Sequence, residues 1–199
     1  MIPPLPLTFL GSFPDPLHPL DPKLPEIALI GRSNVGKLSL LNALAGRRSL
    51  ARVSRTPGKT ALLNVYRMPN GYLLDLPGYG YARRSHSERQ AFGTLLQGVL
   101  TRRDSVTAVI WLLDIRHPPS REDLEVQEIL VEGDRTALVA LTKVDKLSRA
   151  ERSRAAASRA AELGIEMEDL VLTSAEKGLG IDDLRDSIAS ALAKSSGAA

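Results

Sequence analysis

The chain has 199 residues, 26 Lys+Arg against 23 Asp+Glu, no cysteine, and 43% hydrophobic residues. Such a length fits one compact domain, and the composition excludes wholesale disorder, collagen-like repeats and a coiled-coil rod. The missing cysteines exclude a disulfide framework, an iron–sulfur cluster and a cysteine-ligated zinc site; with only three scattered histidines, no apolar run near ~20 residues and no signal-peptide pattern, a cytoplasmic enzyme or binding protein is expected, without a membrane span.

Residues 1–25 hold eight of the 13 prolines. Proline fixes φ and donates no hydrogen bond, so an extended arm is expected here. Its apolar residues (Leu5, Leu7, Phe9, Leu10, Phe13) would pack it onto a main domain over 26–194. Residues 26–30 read as a short buried strand broken by Gly31. Residues 35–44 have helical apolar spacing and stop at Gly46. The stretch 47–59 is polar, basic and contains Pro57-Gly58, so it reads as a loop. Runs 61–67 and 72–75 flank Pro69-Asn70-Gly71, a hairpin signal. A helix is expected over 87–100 and a central strand over the apolar run 106–113. Residues 120–130 read as an acidic helix with Ser120 as N-cap. A buried strand at 136–141, a helix at 148–163 ended by Gly164, a short strand at 170–173 and a helix at 181–193 complete the order. Residues 195–199 read as a frayed tail.

Strands alternating with helices predict a mostly parallel sheet covered on both faces, into which the hairpin inserts one antiparallel strand. Six strands are expected. Ligands on such sheets sit at the carboxyl ends of the strands.

Charge is uneven. Residues 32–103 carry 13 basic and two acidic side chains, whereas 104–199 carry 12 basic and 18 acidic ones. The arginines group as Arg47, Arg48, Arg52 and Arg55, then Arg83, Arg84 and Arg89, then Arg102 and Arg103. A basic face suited to RNA phosphates and an Arg-rich solvated surface are both compatible with charge alone.

Four motifs fall just after expected strands. Gly31-Arg32-Ser33-Asn34-Val35-Gly36-Lys37-Leu38 is close to a phosphate-binding loop. Its glycines let backbone N–H groups turn toward phosphates, and a helix N-terminus adds its dipole. Lys37 supplies a point charge for the β- and γ-phosphates. The pattern needs a hydroxyl after the lysine to ligate Mg²⁺, and Leu38 has none; Ser39 lies about 100° further round the helix. Asp75-Leu76-Pro77-Gly78 can hold Mg²⁺ through water and offer the Gly78 N–H to a γ-phosphate; alone it is also a common turn. In Thr142-Lys143-Val144-Asp145 the carboxylate matches the two adjacent donors of guanine, and the Lys143 stem can cover the purine ring. Thr173-Ser174-Ala175 can offer backbone N–H groups to the guanine O6. Each is weak alone; their order and placement together predict a guanine-nucleotide-binding domain.

Further strings narrow the reading: Ser54-Arg55-Thr56-Pro57-Gly58-Lys59-Thr60, Asp75-Leu76-Pro77-Gly78-Tyr79-Gly80-Tyr81-Ala82, Asp114-Ile115-Arg116-His117 and Thr142-Lys143-Val144-Asp145-Lys146. From about residue 26 to 192 the chain resembles the EngB (YihA/YsxC) family of bacterial translation-factor-related P-loop GTPases. The resemblance implies the three-layer P-loop GTPase fold. It also implies a GTPase that assists assembly of the large ribosomal subunit and is linked to cell division and septation. By that resemblance Gly31 to Leu38 bind the phosphates, and Gly58, Lys59, Thr60, Ala61 and Leu62 form the first switch, with Thr60 as Mg²⁺ ligand. Thr60 also lies at the end of a loop that a γ-phosphate can order; Thr56 is the second choice. Asp75 to Gly78 would sense the γ-phosphate, while Thr142 to Asp145 and Thr173 to Ala175 would hold GTP or GDP by the base. Lys37, Thr60 and Gly78 would carry catalysis.

Two features point to slow hydrolysis. Leu38 stands where the family has a Mg²⁺-binding serine, leaving Thr60 as the one direct protein ligand. Tyr79 stands where other GTPases place a water-orienting glutamine. Asn34 has two readings, a K⁺ held near the phosphates by analogy with related GTPases, or a residue that merely tolerates a tight turn; the turn is preferred. Trp111 reads as core and His117 as an anchor for the loop before Pro118-Pro119. The partner expected for the Arg-rich segment is rRNA of the large subunit, and a monomer is the default. An alternative function is a nucleotide-gated RNA-binding switch with negligible hydrolysis; a third is an interaction module of the division machinery.

Overall fold

A computed structural model gives the fold and describes residues 2–47, 50, 62–80 and 86–196. Seven strands form one sheet: β1 (Thr8–Phe13), β2 (Glu26–Gly31), β3 (Leu63–Met68), β4 (Gly71–Asp75), β5 (Val106–Asp114), β6 (Ala137–Thr142) and β7 (Leu170–Leu172). Their order across the sheet is β1-β3-β4-β2-β5-β6-β7. β3 runs antiparallel to β1 and β4, and the other adjacent pairs are parallel. This is the expected α/β architecture with one strand more than the six expected. The extra strand comes from the proline-rich arm. Residues 8–13 contain no proline, so their amides can join the ladder, and they pair from Thr8↔Arg67 to Phe13↔Leu63 with a bulge between Phe9 and Gly11.

All six residues of β2 are buried, as a parallel strand covered on both faces requires. Alternation sends Ala28 and Ile30 to one face and Ile27 and Leu29 to the other. The first face is covered by α2 (His86–Gln97), α3 (Arg121–Glu132) and α4 (Arg149–Leu163), through Phe92, Leu95, Val126, Leu130 and Ala156. The second is covered by α1 (Lys37–Leu44) and α5 (Ile181–Ser196), through Leu40, Leu44, Leu184 and Ile188. Capping boxes start two helices: Ser120 with Asp123 on α3, and Ser148 with Glu151 on α4. Gly164 ends α4 in the left-handed conformation at φ 63. α5 continues to Ser196, into the expected tail, and 197–199 lie outside the described residues. Among the described residues no helix is long and apolar enough to cross a membrane.

The arm is tied down by two buried arginines. Arg103 is 5% exposed. It pairs through Nε and Nη2 with the Glu26 carboxylate, and Nη1 donates to the carbonyls of Pro16 and His18, both at 2.8 Å. Its place in a solvent-facing arginine group is therefore corrected. Arg102, its neighbour, is exposed. Arg185 donates to the Ala43 and Leu44 carbonyls at the end of α1 and to Ile2 of the arm. After α2 the chain makes a π turn over Gly98–Arg102. A Cβ on Gly98 would lie 2.5 Å from Cγ of Pro16, so the arm and this turn meet only because residue 98 is glycine.

Candidate functional site

β2 hands over to α1 through the turn at 32–36. Asn34 has φ 65 and Gly36 has φ 103. Asparagine and glycine are the residues that adopt this left-handed conformation at least cost, which is what the tight-turn reading of Asn34 requires. Gly36 is the N-cap of α1 and brings no side chain to its first amides, the arrangement that suits an anion. A Cβ on Gly31 would fall 2.9 Å from Leu112 Cβ and from Val35 Cγ1. The turn can therefore sit against β5 only with glycine there.

The segment after β4 lies along this turn. Leu76 N donates to Leu29 O at 3.1 Å, Ser33 N to Tyr79 O at 2.8 Å and Tyr79 N to Gly31 O at 3.3 Å. A Cβ on Gly78 would come within 3.0 Å of Ser33 N and Cα. Lys37, in the first turn of α1, places Nζ 2.7 Å from Asp75 Oδ1 at the end of β4. Oδ2 of Asp75 accepts from Asn64 Nδ2 at 3.2 Å, and Asn64 Oδ1 accepts from Ser12 Oγ at 2.6 Å. A polar chain thus runs from the edge strand β1 to the lysine of the loop.

The loop after β6 closes the other side. Thr142 Oγ1 bonds to Val35 O at 2.7 Å. Lys143 takes φ 60, and its Nζ donates to Asn34 O at 2.7 Å and pairs with Asp114 Oδ2 at 2.9 Å. Arg116 grips the same carboxylate, with Nη2 at 2.7 Å and Nε at 2.9 Å. Burial pushes the Asp114 carboxyl up, but the hydrogen bonds from Arg116 and Lys143 outweigh it and hold the group well below the usual carboxylate range. Asp145 Oδ1 accepts from Ser174 Oγ at 2.6 Å, and Lys146 Nζ sits 2.9 Å from Oδ2. The Ser174 bond, then Lys146, lower its pKa, so Asp145 is ionised at neutral pH. Val144 N donates to Thr173 O at 3.2 Å, which fixes the two base-side loops to each other. Ala175 follows in the turn after Ser174. A cavity of about 260 Å³ at this end of the sheet borders both halves, lined by Arg32, Asn34, Asp114, His117, Lys143 and Arg159 among others.

Lys37, Asp75, Gly78, Lys143, Asp145 and Ser174 therefore meet at the carboxyl ends of β2, β4, β6 and β7. Leu38 is half-buried and packs against the apolar cluster under α1 and α5, while Ser39 is exposed. Leu62 is half-buried just before β3. Thr56, Gly58, Lys59, Thr60 and Ala61 lie outside the described residues, as do Arg48, Arg52, Arg55, Arg83 and Arg84. No group of three or more His, Cys, Asp or Glu side chains suited to a metal occurs among the described residues.

Some contacts had no sequence signal. Asp114 and Arg116 orient Lys143, although only the family likeness singled them out. Trp111 is core, as expected, but it also donates from Nε1 to the Tyr79 hydroxyl at 2.8 Å. The Tyr79 hydroxyl in turn donates to Asp123 Oδ1 at 2.7 Å. The ring is 3% exposed, and burial, then the Asp123 charge, push its pKa far up. A tyrosine so placed cannot orient a water at the loop.

Residues 26–143 match the family model described as "50S ribosome-binding GTPase", so the domain is a P-loop GTPase. The chain is 45% identical over 165 residues to the probable GTP-binding protein EngB of Heliobacterium modesticaldum, covering 82% of this chain and 80% of that one. It is 40% identical over 176 residues to that of Exiguobacterium sibiricum, covering 87% and 91%. A crystal structure of a probable GTP-binding protein EngB superposes with TM-score 0.73 at 21% identity, over 85% of this chain and 99% of that one. The structure of Era with MgGDPNP and nucleotides 1506–1542 of 16S ribosomal RNA superposes with TM-score 0.57 at 24% identity, over 85% and 57%. The chain belongs to the EngB family of GTP-binding proteins.

Proposed function

We propose that this protein is a cytoplasmic, monomeric guanine-nucleotide switch that assists assembly of the large ribosomal subunit, and through it normal division and septation. The observation that carries the nucleotide half is the bond from Lys143 Nζ to Asn34 O at 2.7 Å. It sets the base-side loop directly on the phosphate-side loop, as one nucleotide spanning both would need. In this reading residues 31–38 cradle the phosphates, Lys37 exchanges Asp75 for the β- and γ-phosphates, and Gly78 offers its N–H to the γ-phosphate. Thr142 to Asp145 and Thr173 to Ala175 hold the base, with Asp145 selecting guanine. Gly58 to Leu62 act as the first switch.

The ribosomal half is supported by the basic segment 32–103 and by the description of the family model. Binding of the protein to 50S particles is expected to weaken steeply with salt, because phosphate contacts release counterions. Sedimentation with 50S and 30S particles at low and high salt checks it. Binding that ignores salt, or equal binding to both particles, would count against this reading.

Mg²⁺ fits this site only in part. Asp75 offers a carboxylate for a metal-bound water, but the Leu38 side chain is apolar and packed inward, so it cannot ligate the metal. Thr60 remains the direct ligand by family likeness. With Leu38 lacking a donor and Tyr79 turned into the core, slow hydrolysis follows, and these two observations favour the second reading, a nucleotide-gated RNA-binding switch with negligible turnover. Leu38→Ser is expected to raise Mg²⁺-dependent GTP affinity about tenfold, the worth of one good polar ligand, and to raise single-turnover hydrolysis. Unchanged Mg²⁺ dependence and turnover in that variant would remove Leu38 from the explanation.

A further inference from the structure

Tyr79 is gripped from two sides. Its backbone belongs to the phosphate side: the carbonyl accepts from Ser33 N at 2.8 Å and the N–H donates to Gly31 O at 3.3 Å. Its side chain belongs to α3: the hydroxyl donates to Asp123 Oδ1 at 2.7 Å and accepts from Trp111 Nε1 at 2.8 Å. Asp123 is 3% and Trp111 1% exposed. The second Asp123 oxygen accepts from Ser120 N and Oγ, both at 2.8 Å, so the same carboxylate starts α3. The Tyr79 ring also lies 6.1 Å from the ring of Phe92 on α2.

A phenylalanine at 79 would fill the same space without a hydroxyl between Trp111 and Asp123. Buried polar groups are costly unless fully satisfied, and when satisfied they fix one arrangement. Here they fix the residue next to Gly78, whose close approach to Ser33 leaves no slack. We propose that Tyr79 is a positioning residue for nucleotide discrimination: its buried bond to Asp123 holds the Gly78 amide where it reads a terminal phosphate, and it makes α3 the helix that responds to the nucleotide state. GDP has no phosphate at that amide, so loss of the bond weakens GTP binding selectively. This inference rests on the GTP-binding reading above.

Trp111 is the single tryptophan and touches the hydroxyl in question, so its fluorescence reports the contact. The experiment titrates the wild type, Tyr79→Phe and Ser120→Ala with GDP and with a non-hydrolysable GTP analogue, reading affinity and Trp111 emission. In the wild type the two nucleotides are expected to give different emission. In Tyr79→Phe, affinity for the GTP analogue falls about tenfold, the worth of one buried hydrogen bond. GDP affinity changes less than about twofold, and the emission difference is lost. Ser120→Ala weakens the α3 cap and removes one bond to the far oxygen of Asp123, but it keeps the Tyr79 hydroxyl on Oδ1, so it lowers the melting temperature and is expected to leave the affinity ratio as in the wild type. An unchanged ratio in Tyr79→Phe, or an equal loss for both nucleotides, overturns the inference while leaving the GTP-binding reading intact. A wild type that binds neither nucleotide overturns both. Amide exchange of the wild type needs no variant: α3 is expected to exchange more slowly with the GTP analogue than with GDP, and equal exchange overturns the proposal.

Discussion

Asp145→Asn is expected to turn the preference of the protein from guanine to xanthine nucleotides. Guanine offers two neighbouring donors, the N1–H and the exocyclic amine, and an ionised carboxylate accepts both. Xanthine keeps the N1–H but has a carbonyl in place of the amine. Asparagine, with one acceptor and one donor, matches xanthine and sets its amide N–H against the guanine amine. The carboxylate is fixed in place and shielded, with Ser174 Oγ 2.6 Å from Oδ1 and the Asp145 side chain 8% exposed. A donor facing a donor at such a site loses a charge-assisted bond and leaves polar groups unpaired, which costs about 3 kcal/mol or roughly a hundredfold in affinity. Parallel titrations with GDP and XDP measure it. GDP affinity close to that of the wild type would mean that the base is read elsewhere.

The second large effect concerns the arm. Arg103→Ala is expected to destabilise the fold by about 3–5 kcal/mol, the cost of removing one partner of a buried ion pair. It leaves the Glu26 carboxylate, 2% exposed, without its guanidinium, and it frees the carbonyls of Pro16 and His18. At roughly 2–4 °C per kcal/mol for a domain of this size, the melting temperature drops by about 6–20 °C. Arg102→Ala, one residue away and exposed, is expected to stay within about 0.5 kcal/mol of the wild type. Urea or thermal unfolding of the two variants side by side decides it, and equal midpoints would show that the arm is not held through Arg103.

What the sequence made legible was local. Pro69-Asn70-Gly71 marked the β3–β4 hairpin, Ser120 marked the start of α3 and Gly164 the end of α4, because turns and caps are decided by a few adjacent residues. The four site motifs were legible for a related reason: each sits on one strand end, and a parallel sheet gathers those ends at one edge. β1 was not legible, since its pairing partner β3 lies far along the chain and its neighbourhood reads as proline-rich coil. Arg103 looked like part of a basic surface because nothing near it in sequence says that Glu26, 77 residues earlier, is buried beside it. The same holds for Tyr79: Trp111 and Asp123 reach it from 32 and 44 residues away. Such contacts depend on strand order, which a single sequence leaves open.

The most direct test of a guanine-nucleotide site is a titration of nucleotide-free protein with GDP, GTP and ADP, each in Mg²⁺ and in EDTA. The arrangement of Lys37, Lys143, Asp145 and Ser174 predicts that GDP and GTP bind, that ADP does not, and that EDTA changes either affinity little because Leu38 offers the metal nothing. Equal binding of ADP, or no binding of any nucleotide, would contradict it.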